Sequence, residues 1–549
     1  MKKFVYVILC AFLVAACNIG ELEFDNLEVT PIKGPDVFPL GTSKYVMRDL
    51  LGKQTGDSLN FQEDSTSLLT LLYHDTITYN AQDDFVQIGD ITQSGTATAP
   101  ASPAGTARTV PFNQTFTLEY NPQGDEELDS VFYATGDLTL VTTSTLPGTL
   151  NYTYTIDNTT NINSGNPVIL SGTIANGGND TQTQSLVNHK TNLTSNDNTF
   201  TVDLNATVNL AATDALLGTE EISFALTYGN QTFNLIYGKF GQDTVQVGNQ
   251  SIDLDFFSQS NRSGITFGNP SISFDFRNSF GLPVGVDFSG VSGLDGNGAT
   301  IIRLAGDIVN NRPIIAGSDV NSPGPNTPGE TAQSIIEINR ANSNIVALLG
   351  SAPSTLQFGV TGFSNPSSQG ALNYVQPTSQ IQAFVTMEVP FEIQLENLQE
   401  TGSFGLGDGL DLSDVDSVFI RIVTENQLPF NGTVSLEVQN EDSVSLIPVL
   451  DTTDPLYDEA QVARFTDIPI IKAPLINING IVTDPSGFTH DIYLTKEEVR
   501  LLGDASHVII TMTLNTPVSQ TSREIYVKIL ANYSLELTVG VGAQFNIDL

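Results

Sequence analysis

The chain is poor in the residues that cross-link proteins, ligate metals or carry positive charge. Its 549 residues include two cysteines, four histidines and no tryptophan. Both cysteines, Cys10 and Cys17, lie near the start, so a disulfide cannot join distant parts of the chain. We therefore expect strand pairing and apolar packing to hold the fold together.

Positive charge is scarce as well. Lys and Arg number 21 against 61 Asp and Glu, so the formal net charge is -40. Nucleic acid binding relies on basic side chains that neutralise phosphate, and we therefore expect no nucleic acid partner. Hydrophobic residues still make up 40% of the chain, which is enough to bury substantial cores. The length predicts about three domains.

Common catalytic motifs are absent from the sequence. It has no G-x-S-x-G elbow, no H-E-x-x-H pair, no Walker loop and no G-x-G-x-x-G that leads into a helix. Spacing alone identifies no partners for the four histidines, which are His74, His189, His490 and His507. We expect no catalytic residue and no cofactor. A glycosidase that uses two of the many carboxylates stays open as an alternative.

The first seventeen residues have the order of a secretory signal. Lys2 and Lys3 precede the apolar run Phe4–Ala16, and small residues lead to Cys17. The run is shorter than the roughly 20 apolar residues of a membrane span. Val14-Ala-Ala-Cys17 resembles the lipobox of bacterial lipoproteins. That resemblance implies removal of residues 1–16 and a lipid, such as palmitate, on Cys17. An ordinary signal peptide containing a cysteine is the alternative.

The residues after Cys17 bear on location. Asn18 follows directly, where lipoproteins kept in the enterobacterial inner membrane commonly have Asp, so the resemblance implies an outer-membrane lipoprotein. Glu21, Glu23 and Asp25 resemble the surface-export signals of Bacteroidota lipoproteins. We expect anchoring in the outer membrane and display at the cell surface. A solvated tether on the periplasmic face is the alternative.

Strict alternation of apolar and polar residues dominates the body of the chain. In 200–212 every even position is apolar, which places those side chains on one face of a strand. Strands are also predicted at 57–62, 67–73, 150–156, 222–228, 252–256, 272–276, 284–288 and 381–395. The fold class is therefore mainly β, with several antiparallel β-sandwich-like domains and a few short helices. Membrane-spanning strands alternate similarly, but the Pro- and Asn-rich loops, the helices and the lipid anchor argue against them.

Turn-rich stretches divide the chain into predicted segments. Helices are expected at 43–51 and within 334–349. A capping box at Thr495–Glu498 predicts a third short helix, which runs through Leu502. The segments are a signal peptide (1–16), an acidic tether (17–35), a small helix-plus-hairpin unit (36–92), a linker (93–109), one or more β-sandwich domains (110–306), a Pro/Gly/Asn linker (307–333) and a second β domain with short helices (334–549).

The last third carries three more predictions. Strands 418–422 and 434–438 are expected to be neighbours in one sheet. The alternating stretch 525–549 is too long for one strand and is expected to bend near Asn532, Gly540 or Gly542 into a hairpin. An acidic run could supply oxygen ligands to Ca²⁺, although its spacing is not that of an EF-hand and a solvated loop is the prediction. Its carboxylates are Asp408, Asp411, Asp414 and Asp416.

These features predict a non-catalytic, lipid-anchored binding or scaffold protein. Its partner is expected to be an envelope protein, and it could be an accessory subunit of an outer-membrane assembly, export or uptake complex. One alternative is a carrier of lipid or another apolar ligand in a groove lined by residues such as Val385, Val389, Leu535 and Val539. Another is a hydrolase that acts on surface glycans.

The predicted lipid on Cys17 can be tested by mass spectrometry of the protein purified from its native membrane. We expect the N-terminal residue to be Cys17 carrying fatty acyl groups, and Cys17→Ala to block both processing and acylation. A bare Cys17 thiol, or residues 1–16 still attached to the wild-type protein, would contradict this prediction.

Overall fold

The computed structural model describes residues 38–48, 59–80, 88–120, 127–193, 198–254, 264–366, 371–405, 415–517 and 526–545. Within these ranges the chain forms thirty-five strands and four short helices, and all the strand pairings are antiparallel. The predicted mainly β fold class is confirmed. The signal, Cys17 and the acidic tether lie outside the described residues.

The elements follow one another along the chain with short connections. The first strands are β1 (Phe38–Val46), β2 (Leu59–Glu63), β3 (Leu69–Asn80), β4 (Ile91–Thr98), β5 (Arg108–Glu119), β6 (Glu127–Ser144), β7 (Thr149–Asn161), β8 (Pro167–Ala175), β9 (Gly178–Ser185), β10 (His189–Asn192), β11 (Thr199–Leu210) and β12 (Glu221–Lys239). The middle strands are β13 (Thr244–Asp253), β14 (Ile265–Phe267), β15 (Ser271–Asn278), β16 (Val284–Asp287), β17 (Ser292–Leu294), β18 (Thr300–Arg303), β19 (Ile314–Ile315), β20 (Ala332–Asn339), β21 (Thr355–Ser364), β22 (Asn373–Val375), β23 (Gln380–Pro390) and β24 (Glu392–Leu395).

The remaining strands lie in the last third of the chain, as do two of the four helices. The last strands are β25 (Leu398–Gly405), β26 (Val415–Asn426), β27 (Asn431–Gln439), β28 (Ser445–Ile447), β29 (Ile468–Ile471), β30 (Leu475–Ile476), β31 (Val482–Asp484), β32 (Ser486–Leu494), β33 (His507–Asn515), β34 (Val527–Lys528) and β35 (Ser534–Phe545). The helices are α1 (Asp307–Asn310), α2 (Ile345–Gly350), α3 (Glu459–Phe465) and α4 (Lys496–Leu501).

A ten-stranded sheet forms the largest unit. Its order is β22-β12-β6-β10-β7-β11-β5, with β4 paired to β12, β9 to β6 and β8 to β7. Phe224 on β12 packs against Phe116 on β5 and Tyr154 on β7, with ring centroids 4.8 and 5.1 Å apart, although β12 pairs with neither strand. The sheet therefore folds over on itself, and its apolar side chains meet inside. The predicted alternation of 200–212 is confirmed along β11.

Two further sheets enclose the same continuous core. A five-stranded sheet has the order β2-β3-β23-β15-β20, and a six-stranded sheet has β18-β17-β21-β16-β19 with β13 on β21. Phe274 on β15 lies 5.1 Å from Phe288 and 6.3 Å from Phe358 on β21, measured between ring centroids. The inward face of the five-stranded sheet is thereby buried, and its other face is left to solvent.

A second core lies in the last third of the chain. It is built from the sheet β1-β35-β26-β32 and the sheet β25-β33-β27-β28, with β29 on β27. Ile420 and Ile422 on β26 share this core with Val434 and Val438 on β27. The prediction that 418–422 and 434–438 are neighbours in one sheet is wrong. Alternation identifies the buried face of a strand, but not the strand beside it.

Several pairings connect strands that are distant in sequence. β23 pairs with β3 and with β15, and β35 pairs with β1 and β26. β3 lies in the predicted segment 36–92, whereas β23 lies in 334–549. The boundaries of the predicted domains stay predictions, and the sheets described here run across them. Within 36–92, the predicted hairpin is present as β2 and β3.

Two predicted helices are strands over part of their length. Residues 43–46 belong to β1, residues 47 and 48 are helical, and 49–51 lie outside the described residues. In 334–349, the first half is β20, and the helix is only Ile345–Gly350. Burial alternates along Ile335–Ile338, with Ile336 and Ile338 buried, and pairing with β15 decides in favour of the strand. The capping box at Thr495–Glu498 is confirmed at the start of α4.

The predicted C-terminal hairpin is wrong as well. The chain turns at Asn532 as expected, but Ser534–Phe545 continues as one strand through Gly540 and Gly542. This strand lies between β1 and β26. Two long-range partners therefore stabilise the segment in place of a local hairpin partner.

A chain of hydrogen-bonded hydroxyl groups crosses the interior of the ten-stranded sheet. The Tyr228 hydroxyl lies 2.7 Å from Thr159 Oγ1, which lies 2.9 Å from Thr191 Oγ1, which lies 2.7 Å from the Tyr133 hydroxyl. All four side chains are essentially buried. Burial raises the pKa of Tyr228 to about 12, although the hydrogen bonds with Thr159 and Thr191 oppose this shift. The hydroxyl groups therefore stay neutral and satisfy one another.

Thr191 is one of the two inner members of this chain, and Thr191→Val should destabilise the fold more than Tyr228→Phe. Removing the Thr191 hydroxyl takes a partner from both Thr159 and Tyr133 and should cost about 2 to 3 kcal/mol, against about 1 kcal/mol for the terminal hydroxyl of Tyr228. Urea unfolding followed by tyrosine fluorescence measures both values. Equal costs, or a larger cost for Tyr228→Phe, would contradict the arrangement.

Candidate binding surfaces

The predicted lipidation site and most of the predicted calcium ligands lie outside the described residues. Cys17, Asp408, Asp411 and Asp414 lie outside the described residues, and Asp416 belongs to β26. Elsewhere in the described ranges, no group of three or more His, Cys, Asp or Glu side chains is arranged to hold a metal ion. In the same ranges, no helix has the length and apolar character needed to cross a membrane.

The structure does not bring the four predicted groove residues together. Val385 and Val389 are buried in the first core, whereas Val539 is buried in the second and Leu535 packs against it. The groove proposed for an apolar ligand is therefore not formed by these residues.

A small apolar cavity does lie between the five-stranded and six-stranded sheets, with a volume of about 40 Å³. Its lining includes Ile77, Tyr79, Phe276, Val286, Val360 and Ile381. That volume corresponds to a few water molecules.

The histidines lie on separate elements. His74 Nδ1 lies 3.1 Å from Thr386 Oγ1, and His189 Nδ1 lies 2.9 Å from the Val187 carbonyl oxygen. His490 stacks on Phe488, with ring centroids 6.3 Å apart.

His507 contacts polar groups through both ring nitrogens. Its Nδ1 lies 2.7 Å from Ser506 Oγ, and its Nε2 lies 2.8 Å from Gln439 Oε1. A catalytic triad orients its histidine with a carboxylate that stabilises the imidazolium. Here an amide oxygen stands in that position, so the pair is a weak candidate for nucleophilic catalysis.

The solvent-facing side of the five-stranded sheet is the first candidate binding surface, and we name it the outer face. Asp275 on β15 stands directly opposite Phe384 on β23 and Ile335 on β20, and Phe384 stands opposite Thr76 on β3. Phe384 is 42% exposed and Ile335 is 66% exposed. The outer face is defined by Thr76, Phe384, Asp275, Ile335, Arg277 and Gln333.

Polar groups on the outer face are already organised. Arg277 Nη2 and Gln333 Nε2 each donate to Asp275, both at 2.9 Å. Partial burial raises the pKa of Asp275, but the hydrogen bonds from Arg277 and Gln333 outweigh it, and the net shift is downward. The carboxylate therefore stays charged between two exposed apolar side chains, which gives the face a fixed pattern of apolar and polar groups.

The second candidate surface, which we name the aromatic shelf, lies on the sheet that contains β26 and β32. It consists of Phe419, Arg421, Asp491 and Tyr493, with Phe419 opposite Tyr493 and Arg421 opposite Asp491. The two rings are 5.6 Å apart with a 31° tilt, and the Arg421 guanidinium lies 5.7 Å from the Phe419 ring centroid. Tyr493 is 58% exposed.

An ion pair fixes one end of the aromatic shelf. Arg421 Nε and Nη2 donate to the two Asp491 carboxylate oxygens at 2.7 and 2.6 Å. Hydrogen bonding from Arg421 holds the pKa of Asp491 below its usual range, against the opposing effect of burial. The Tyr493 hydroxyl adds a longer contact of 3.3 Å to the same carboxylate. This bidentate arrangement orients both side chains.

Sequence reasoning did not identify either surface, although a signal was present. In 381–395 every odd position is apolar, and Phe384 is the large apolar residue among the even, solvent-facing positions. Phe419 stands in the same way between the inward-facing Val418 and Ile420. A bulky apolar residue on the polar side of an alternating strand was the sequence signal for each surface.

No protein-family model matches the chain, and no curated protein matches it either. Among solved structures, the chain is similar to a Parabacteroides distasonis protein described as secreted, with 11% identity and a TM-score of 0.28 over 55% of this chain and 83% of that one. A structure of infectious bursal disease virus Gx strain shows 9% identity and a TM-score of 0.15 over 96% and 87% of the two chains. At these scores neither likeness carries an argument about function.

The Arg421–Asp491 pair predicts a pH-dependent contribution to stability. An unfolded Asp titrates near pH 4, and the folded pKa of Asp491 lies lower. The pair therefore stabilises the fold above about pH 4, and this contribution is lost as the pH falls through the folded pKa.

Asp491→Asn should lower the free energy of unfolding by about 1 kcal/mol at neutral pH, and the difference from wild type should shrink towards zero in acid. Urea unfolding at a series of pH values from about 7 down to about 3 measures this difference. A difference that stays constant over the whole range would contradict the assignment.

Proposed function

We propose that this chain is a lipid-anchored, non-catalytic binding or scaffold protein of a bacterial outer membrane, and that it binds an envelope protein through the outer face. The observation that carries the proposal is the exposure of Phe384 and Ile335 on either side of the ion-paired Asp275. Apolar anchors separated by fixed polar groups are typical of protein interfaces.

The edge of the same sheet supports this role. β20 is the last strand in the order β2-β3-β23-β15-β20, and Ile335 lies on it. An edge strand presents backbone N–H and C=O groups that another chain can pair with. A partner could therefore contact the apolar side chains of the face and also the backbone of β20.

The position of the predicted anchor is compatible with this surface. A segment of about twenty residues separates Cys17 from Phe38, the first residue of β1. Fully extended, a segment of that length reaches at most roughly 70 Å. The outer face could thus contact a partner that projects well beyond the lipid headgroups.

Substitutions on the outer face test the proposal. We expect the native lipid-bearing protein, solubilised in mild detergent, to hold one envelope protein in a fixed stoichiometry. Ile335→Lys and Phe384→Ala should each weaken the binding of that purified partner at least about tenfold, because a charge or a lost ring disrupts an apolar contact. Biolayer interferometry with the purified pair measures the affinities.

Tyr493→Ala is the matched control, because it removes an exposed aromatic ring from a different sheet. Circular dichroism and thermal unfolding should be unchanged in all three variants. Partner affinity that is insensitive to Ile335→Lys and Phe384→Ala would overturn the proposed surface. The absence of any stoichiometric envelope partner would overturn the proposed function itself.

A further inference from the structure

The residues of the aromatic shelf take no part in the proposed binding of an envelope protein. It belongs to the sheet β1-β35-β26-β32, whereas the outer face belongs to the sheet β2-β3-β23-β15-β20. Its inward neighbours Ile420, Ile422 and Ile492 are buried in the second core, so the shelf residues lie on the opposite, solvent-facing side. Two surfaces on different sheets can act independently.

Tyr493 is the exposed ring of the shelf, and Phe419 beside it is partly buried. Tyr493 belongs to β32, the last strand in the order of its sheet, and is more than half exposed. On the other side, the residue directly opposite Phe419 is Gly542, which has no side chain to pack over the ring. The exposed Tyr493 ring and the partly buried Phe419 ring therefore form an apolar patch on the sheet surface, and a long ligand could lie across it.

Hydrogen-bonding groups border the rings at short range. Arg421 uses Nε and Nη2 to hold Asp491, and a guanidinium carries five N–H donors in all. An ionised carboxylate has about four acceptor sites, so Asp491 can accept further bonds beside those from Arg421 and Tyr493. One row further along the strands, the Thr42 and Thr538 hydroxyls lie 2.8 Å apart.

Charge selects among the ligands that could use such a surface. Asp491 compensates the charge of Arg421, so the shelf offers an anion little net attraction, and the chain as a whole carries a net charge of -40. A cationic ligand is disfavoured for another reason. The Arg421 guanidinium already lies 5.7 Å from the Phe419 centroid and would repel a second cation there.

From these features we propose that the aromatic shelf binds a neutral glycan. A sugar ring has an apolar C–H face that packs on aromatic rings, and hydroxyl groups around its edge that both donate and accept hydrogen bonds. Phe419 and Tyr493 supply the packing surface, Asp491 accepts from the hydroxyls, and Arg421 donates to them. An open sheet surface rather than a pocket fits a polymer of several sugar units.

Affinity electrophoresis on native gels tests this proposal with the full mature protein in mild detergent. The gels contain amylose, laminarin, dextran or mannan as neutral polymers, and polygalacturonate as an anionic one. We expect at least one neutral polymer to retard the wild-type protein. Titration calorimetry with an oligosaccharide of that polymer then gives the dissociation constant.

Substitutions test whether the aromatic shelf, and not another surface, binds the glycan. Tyr493→Ala should weaken glycan binding at least tenfold, and Phe419→Ala should do the same. Phe384→Ala is the matched control, since it removes a partly exposed ring from the outer face, and it should leave glycan affinity unchanged. Because Tyr493 is largely exposed, its variant should fold even if the variant at the half-buried Phe419 does not.

Three results would overturn the proposal. They are retardation by none of the four neutral polymers, retardation by polygalacturonate alone, and glycan affinity that Tyr493→Ala leaves unchanged. Loss of glycan binding with envelope-protein binding intact would assign the two activities to separate surfaces. Failure of the protein-binding test would leave the glycan test unaffected, because the two tests measure different ligands on different sheets, and the test variant of each surface is the control for the other.

Discussion

The structure depends on one constraint, the period-two alternation of apolar and polar residues along its strands. The two cysteines lie only near the start of the chain. Each alternating strand has one apolar face, and the hydrophobic effect drives that face against another sheet. No disulfide can join distant strands, so this packing has to hold the layers together. The result is several sheets packed around two cores. The sheets that carry the two candidate binding surfaces each leave one side to solvent, and the surfaces lie on those sides.

Pairing between strands that are distant in sequence determines how these sheets are assembled. β23 joins β3 to β15, and β35 lies between β1 and β26, so strands far apart in sequence form single sheets. Inside the ten-stranded sheet, the buried hydroxyl chain from Tyr228 to Tyr133 requires specific neighbours, because each hydroxyl needs a partner. The outer face exists only because four distant strands are brought side by side.

The sequence allowed the strands to be predicted better than their partners. Alternation in 200–212 identified β11, and the Thr495–Glu498 capping box identified α4, because both signals are local. The helix expected in 334–349 is present only from Ile345, and the C-terminal hairpin was wrong, because long-range pairing of β20 and β35 decided the outcome. The shelf depends on the register between β26 and β32, which one sequence does not contain.

Both proposed functions lie on open sheet faces and neither lies in a cavity. The accessibility of the outer face in the native envelope tests this most directly. Phe384→Cys places a thiol on the outer face, and N-ethylmaleimide labelling can be compared between the purified protein and the intact envelope. A cysteine at the exposed position of Asp442 serves as the reference. Position 384 should react readily in the purified protein and be protected in the envelope, whereas position 442 should react in both. Equal labelling of position 384 in both settings would contradict it.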